Sequence, residues 1–594
     1  MSDQSVPRMK STLGLTGLTS NAMVLIAPGA ILWLTIYIQA TTGVVGQPST
    51  APAMWFGIVL ALLLSLATAV AYAQISRLYP GTGSNYYYAE QALLPKDKAF
   101  RYARVAKFIV GWGSHQYHSV YPGVTVAFTG IFVGYVVGFL YPNFISRANP
   151  GPVFMALVAV AFSFFVAWIA QKGVGASTAV NLAINVVQIS ALLIFSVLAI
   201  GYRSSHPSGA LGFQYDGQTL ATHNYQFATA KDGSTIRDAI GTPLPLLDAA
   251  GRKVPFVITY PAKNSSGNIL THTSATSVVS PHSLSWVFIQ GTVAILILGG
   301  FESVTTMGGE AKNPTRHIPI AVIASLLIQS LFCYLIEYFA AKHFLNSGYT
   351  TQSATGSAAP IGDMMIIVGD ALLGHGNGKY FMLGVAITVF LALIGTTLAC
   401  MNTGARVTYA MGKDHEAPER FGILSVKSLS PPHAIWTLTV ISAVIGVVAV
   451  SLVFTDAGAL TDATIAALPH GIFSSFGYSI HDRLAALPNS LLAVTLTSNF
   501  GTFILYALSC FLCIVAFNKH ANYNVVLHLL IPGFGLCANL ACMAFYLVGP
   551  VFGLGTFKEP LLALGVSAIW GIYGAIYFLR RSISNGNLVL LASK

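Results

Sequence analysis

Hydrophobic positions along this chain run on without interruption instead of recurring with a helical or a strand period. A helix that crosses a bilayer needs roughly 20 consecutive apolar residues. About twelve stretches meet that length, near 22–40, 54–76, 104–140, 152–171, 176–201, 283–308, 318–345, 379–403, 434–454, 490–517, 523–549 and 560–579. They are continuously apolar and not alternating, so they predict helices and not the strands of a membrane barrel. The third is long and holds Pro122, which predicts a tilt or a kink.

Composition agrees. Of 594 residues, 54% are hydrophobic and 8% charged, and the mean hydropathy is +0.68. A soluble domain carries roughly 25% charged residues, so a soluble multidomain enzyme is excluded, and so is disorder. The net charge of +11 is read as loops held on the inner face of a bilayer and not as a nucleic-acid footprint. Cys333, Cys400, Cys510, Cys513, Cys537 and Cys542 all fall in apolar runs and are expected to be buried small hydrophobes. The CxxC at Cys510 and Cys513 has no second pair or His partner to make a metal site. No cleavable signal peptide is expected, because the first long run leads into a polytopic chain.

Lys and Arg orient the chain. With the N-terminus inside, the connection after the second stretch is cytoplasmic and carries Arg77, Lys96, Lys98, Arg101, Arg104 and Lys107. The other inner connections hold Lys172, Lys312, Arg316, Arg406, Lys413, Arg420, Lys427 and Lys519, and the tail adds Arg580 and Arg581. The bias predicts a multi-pass protein of the plasma (cytoplasmic) membrane with both termini cytoplasmic. Residues 202–282 form a long polar loop placed outside, where the charge rule does not apply. Runs such as Val254–Tyr260 suggest short β-strands in it.

Two stretches contain helix-breaking sequence where lipid should enforce a helix. The first contains Ile26-Ala27-Pro28-Gly29-Ala30 and the sixth Leu298-Gly299-Gly300-Phe301-Glu302-Ser303. Interrupted segments at matching places in two halves point to the binding site of an inverted-repeat transporter. Five stretches separate them, so the expected fold class is an all-α polytopic membrane protein. It would have about 12 helices in a five-plus-five inverted repeat, with the first and sixth helices broken. Residues 1–201 form the first repeat, 202–282 the insertion loop, 283–517 the second repeat, and 518–594 two appended helices and the tail. Unwound backbone offers N–H groups to a carboxylate and C=O groups to an ammonium or a cation, which suits a zwitterionic amino acid. Glu302 and Glu337 are carboxyl groups inside spans, costly unless paired or hydrated, and are therefore candidates for proton coupling.

At these residues the chain resembles the amino acid–polyamine–organocation transporter superfamily, amino acid permease type. The segment Gly300-Phe301-Glu302 followed by Glu310-Ala311-Lys312-Asn313-Pro314-Thr315-Arg316-His317-Ile318-Pro319 is similar to that family's signature after the sixth helix. Tyr79-Pro80-Gly81-Thr82-Gly83-Ser84-Asn85-Tyr86-Tyr87-Tyr88 and Asn402-Thr403-Gly404-Ala405-Arg406 through Tyr409-Ala410-Met411-Gly412-Lys413-Asp414 are similar to two further family runs. The resemblance implies an alternating-access carrier with substrate at Ile26, Ala27, Gly29 and Ala30, at Gly299, Gly300, Phe301 and Glu302, and at Tyr117, with Phe301 as an aromatic lid. Trp112, His115, Gln116 and His118 are further cavity candidates. Two departures matter. Pro28 removes an N–H that many members use for the carboxylate, and the fifth stretch, with Asn181, Asn185 and Gln188, has no Lys to stand in for sodium. Thr396 and Thr397 are hydroxyl candidates for a sodium site, unless they bond back to their own helix.

The expected function is secondary transport of amino acids or related amines, as symporter or antiporter, coupled to H+ or Na+ or run as exchange. The alternatives are a polyamine or organocation transporter or exchanger, and a nutrient sensor on a transporter fold. No nucleophile–base–acid set and no nucleotide loop are present, so neither an enzyme nor an ATP-driven pump is expected. No cofactor and no nucleic-acid partner are expected. The partners are a small solute, the coupling ion and the bilayer.

Overall fold

The computed structural model describes residues 11–26, 36, 39, 50–94, 103–141, 143–145, 150–205, 236, 275–280, 283–344, 359–374, 376–451, 490–518, 520–549 and 558–584. Among them the chain is helical, with no sheet and one isolated bridge, Leu13 to Ala311. Ten helices are long and apolar enough to cross a membrane, and two shorter apolar helices, Leu15–Ile26 and Leu284–Ala294, fall in the first and sixth apolar stretches. The hairpins expected within 202–282 lie outside the described residues, as do Ala27, Gly29 and Ala30.

The helices used below are α1 (Leu15–Ile26), α2 (Met54–Leu78), α3 (Asn85–Leu93), α4 (Ala103–Leu140), α5 (Pro152–Ala170), α6 (Val174–Ser205) and α7 (Leu284–Ala294). They continue with α8 (Pro314–Leu327), α9 (Ile336–Phe344), α10 (Pro360–Leu373), α11 (Gly378–Lys413), α12 (Pro432–Ser451), α13 (Ser490–Phe517), α14 (Ile531–Val548) and α15 (Lys558–Ser584). A wide π-helical segment, Ile328–Leu335, joins α8 to α9, so the two form one span. Short helices α3 and α10 are too brief to read from hydropathy. Pro122 does not end α4, which continues through it.

The outer surfaces are apolar. Leu157, Trp168, Ile569 and Ile572 are each more than half exposed, an arrangement that water would penalise and hydrocarbon does not. Cys537, expected to be buried, also faces outward, on α14. The interior is unusually polar for so apolar a chain. Asn21 of α1 donates to Thr178 Oγ1 at 2.9 Å and accepts from Asn181 at 2.8 Å. Asn185 donates to the Ser20 carbonyl at 2.7 Å, and Gln188 donates to Asn185 at 2.8 Å. This amide ladder fixes α1 against α6, because an unpaired amide in a dry interior costs about 1–3 kcal/mol. α1 also packs on α8 and α11, and α4 runs through the centre against α11, α12 and α13.

Candidate functional site

The sixth apolar stretch breaks. α7 tightens into a 3-10 turn over Ile295–Leu298, Gly299 is extended (φ −70°, ψ 153°), Gly300 has φ 122°, and a second 3-10 run covers Phe301–Met307. A side chain at Gly300 would be strained at that φ, and its Cβ would stand 3.0 Å from the Ile26 backbone nitrogen and the Leu25 carbonyl carbon. Gly300 therefore allows the break to sit directly on the end of α1.

Glu302 lies immediately beyond, 1% exposed. Its Oε2 accepts the Gly300 N–H at 2.9 Å and the Tyr506 hydroxyl at 2.7 Å. Its Oε1 has no hydrogen bond. Tyr117 from α4 faces the same carboxylate. The Phe301 ring is fully buried, 5.3 Å from the Tyr506 ring and 6.0 Å from that of Tyr72, and Tyr72 accepts from Asn85 at 2.8 Å. Phe301, Tyr506 and Tyr72 thus form an aromatic wall behind the acid.

Opposite stands the last turn of α1. Three carbonyls there receive side-chain donors from other helices. Gln329 donates to the Met23 carbonyl at 3.0 Å, Thr396 to the Val24 carbonyl at 3.0 Å, and Tyr334 to the Ile26 carbonyl at 2.9 Å. The Thr396 hydroxyl is also 2.9 Å from the Ala392 carbonyl of its own helix, and its one proton serves one of the two. The Thr397 hydroxyl lies 2.8 Å from both Thr125 Oγ1 and the Leu393 carbonyl of its own helix, and its one proton serves one of the two. The junction therefore offers carbonyl oxygens on one side and a carboxylate with an open acceptor on the other. Such a pairing can hold an ammonium, a proton or a cation.

The structure sorts the candidates. Ile26, Gly299, Gly300, Phe301, Glu302 and Tyr117 come together, and Thr396 lies alongside. Trp112, His115 and Gln116 do not join them. The Trp112 and Trp570 indoles stack at 4.6 Å, His115 stacks on Trp570, and Gln116 donates to Ser567 at 2.7 Å, all against α15. His118 bonds to the Ser114 carbonyl of its own helix. Glu337, in α9 one turn beyond Tyr334, is fully buried with neither oxygen hydrogen-bonded. Tyr506, Tyr334, Gln329 and Tyr72 were not foreseen. Each is a lone polar group in an apolar run, and only the partner across the interface reveals it.

At one end of the bundle the family-like motifs lock together. Residue Leu13 pairs with Glu310 and Lys312 through backbone bonds of 2.9 Å each. Arg406 holds Glu310 with two donors on both oxygens, at 3.0–3.3 Å, both residues buried. Lys107 Nζ meets Asp414 at 2.6 Å, Glu90 at 3.1 Å and Glu416 at 3.9 Å. Burial pushes the Glu416 carboxyl up to about 7, against the opposing pull of Lys107.

Comparison with known proteins identifies the family. The family model described as amino acid permease matches residues 11–573. The chain is 34% identical over 148 residues to a branched-chain amino acid permease, BcaP, of Lactococcus lactis, covering 25% of this chain and 29% of that protein. It is 21% identical over 455 residues to BcaP of Bacillus subtilis, covering 74% and 75%. Among solved structures, MhsT in complex with L-phenylalanine matches with a TM-score of 0.48 at 13% identity, over 95% of this chain and 99% of that one.

Proposed function

The chain belongs to the amino acid permease family, and from that premise we propose that it is a secondary transporter for amino acids. It is an integral membrane protein whose relatives are permeases and not enzymes. The observation that carries the reading is the break at Gly299–Gly300 seated on the end of α1, with Glu302 between Gly300 and Tyr506. A permease needs a polar seat inside the bilayer, and irregular backbone at that depth is tolerated only where it is enclosed by protein or lines a cavity.

The substrate ammonium is assigned to the free side of Glu302 and the carbonyls at the end of α1. Phe301 and Tyr506 form the wall against its side chain. Alternating access then works by opening one end of the bundle at a time, with the ends related by a five-plus-five inverted repeat. The charge bias makes the end with the Arg406–Glu310 pair cytoplasmic, so that pair and the Lys107 cluster close the inner side. Branched-chain amino acids are the first substrates to try, by analogy with the relatives named above.

Coupling is assigned to the proton. Glu302 has an open acceptor and neither Glu337 oxygen is hydrogen-bonded, and a buried carboxyl group without a counter-ion is costly to keep charged, so both are placed to take up and release a proton. Sodium is the competing reading, favoured by Thr396 beside the Val24 carbonyl.

The test is uptake into proteoliposomes of labelled branched-chain and other amino acids and of diamines, under imposed proton or sodium gradients. Accumulation of an amino acid driven by an inward proton gradient, and lost in Glu302→Gln, is expected. Accumulation of diamines alone would replace the amino acid reading, and dependence on sodium alone would move the coupling site to Thr396 and Thr397.

A further inference from the structure

A polar cavity lies away from the break, at the end of the bundle that carries the charged loops. It has a volume of about 420 Å³ and is lined by Gln171, Lys172, Ser425, Lys427, Ser428, Ser430 and Pro432. Two connections build it, the turn between α5 and α6 and the loop between α11 and α12. They are held tightly together, since a Cβ on Gly173, whose φ is 93°, would stand 2.7 Å from the Ser428 carbonyl oxygen. The 425–430 loop closes on itself through Ser425 N–H to the Ser430 carbonyl and Leu429 N–H to the Ser425 carbonyl, both at 2.9 Å. Leu429 takes a left-handed φ of 53° to do so.

The lining has one sign. It holds two lysines and three serine hydroxyls, and no acidic side chain. The Gln171 Nε2 donor is buried and has no hydrogen-bond partner. The Lys172 ammonium lies 3.5 Å over the Trp168 ring, which fixes the charge at the mouth. Pro432 opens a 20-residue helix whose positive end adds to the same field.

The position of the cavity narrows the ligand. α5 ends at Ala170 and α12 begins at Pro432, so the cavity sits where two spanning helices leave the bilayer, at headgroup depth. Trp168, Ile423 and Val426 around it are exposed and apolar, as side chains dipping into the lipid interface would be. Ser430 continues into a small adjoining void lined also by Glu310 and Arg406, where the buried Arg406 keeps Nη1 free of any partner.

We propose that this cavity is a binding site for a phosphate-bearing anion, either the headgroup of an anionic lipid or a free phosphate, held by Lys172, Lys427 and the serine hydroxyls. An occupant there rests on the loop that touches the Arg406–Glu310 pair, so its presence stiffens that end of the bundle. The site does not depend on which solute is transported.

The test is thermal unfolding of the full chain, since a ligand that binds the folded state raises the midpoint. One arm uses delipidated protein in non-ionic detergent, titrated with inorganic phosphate against chloride at matched ionic strength. The other uses phosphatidylcholine nanodiscs with and without phosphatidic acid. A rise of several degrees is expected in at least one arm, abolished in Lys172→Gln/Lys427→Gln and kept in Lys172→Arg/Lys427→Arg. A rise with phosphatidic acid alone identifies the lipid headgroup, a rise with phosphate alone identifies the free anion, and a rise with both supports the shared chemistry. No rise in either arm, or a rise that survives in the lysine-to-glutamine variant, overturns the proposal. Should that variant fail to fold, Lys427→Gln/Ser428→Ala, confined to the exposed loop, replaces it under the same criteria.

Discussion

The break at Gly299–Gly300 and the charged end of the bundle treat buried carboxylates in opposite ways. At the break Glu302 has a hydroxyl and one backbone N–H on Oε2, nothing on Oε1, and no ion pair with any described cation. At the charged end Glu310 is gripped on both oxygens by Arg406, and Lys107 gathers three acids within 4 Å. A protein that needed only stability would compensate the deeper acid better, because its desolvation is the more costly. We therefore read Glu302 as kept available for a ligand or a proton, and the Arg406–Glu310 pair as serving closure.

That contrast predicts where truncation hurts most. Arg406→Ala leaves Glu310 buried and unpaired, and breaking such a pair costs about 3–5 kcal/mol. A drop of many degrees in the thermal midpoint is expected, with the double variant Arg406→Met/Glu310→Leu recovering much of it. Equal midpoints for wild type and Arg406→Ala would show the clamp to be ornamental.

Glu416 sharpens the same comparison through pH. In the unfolded chain its carboxyl ionises near 4.5, whereas in the folded protein burial holds the proton to about 7. Between those values the folded state binds more protons than the unfolded one, so stability falls as pH rises, and it levels off above the folded value. The expected loss is about 3 kcal/mol across that window, and Glu416→Gln should flatten it. Unfolding midpoints from pH 5 to 8 measure this directly, and an unchanged slope in the variant would assign the pH dependence elsewhere.

The positions of the ten long apolar helices were legible because continuous apolar runs have one solution in a bilayer. Gly299–Gly300 was legible as well, since two adjacent glycines beside an acid defeat a helix locally. The partners were not. Tyr506 lies 204 residues from Glu302 and sits among Leu505, Ala507 and Leu508, with nothing in its own surroundings to mark it. Trp112, His115 and Gln116 misled for the converse reason. Their clustering on α4 looked like a cavity lining, yet a helix surface of aromatic and amide groups serves equally to dock a neighbour, and α15 with Trp570 and Ser567 is that neighbour. α3 and α10 were missed because hydropathy detects length, and both are short.

At the break itself, Tyr506→Phe removes the shorter of the two hydrogen bonds to Glu302 and leaves the ring wall with Phe301 and Tyr72 intact. A hydrogen bond to a charged group contributes about 1.5–3 kcal/mol, so uptake is expected to fall roughly 10- to 100-fold at neutral pH. Its pH dependence should change as well, because the Tyr506 hydroxyl bonds directly to the carboxylate. A variant with normal uptake and an unshifted profile would separate Tyr506 from the acid and leave Gly300 as its sole anchor.

The smallest expected effect tests the far wall of the junction. Thr396→Val keeps the side-chain volume and removes one hydroxyl, which in the wild type is 3.0 Å from the Val24 carbonyl and 2.9 Å from the Ala392 carbonyl. If the hydroxyl only returns to its own helix, Ala392 keeps its backbone bond and the loss is about 0.5–1.5 kcal/mol or less, seen as a small midpoint change with uptake intact. If it helps to hold a cation against the Val24 carbonyl, uptake loses its ion dependence while the midpoint barely moves, because a missing ligand weakens the site and not the packing. Measuring uptake with and without sodium beside the thermal midpoint separates the two outcomes. It also decides whether the carbonyl side of the junction is only capped or, like the Glu302 side, is held open for something that moves.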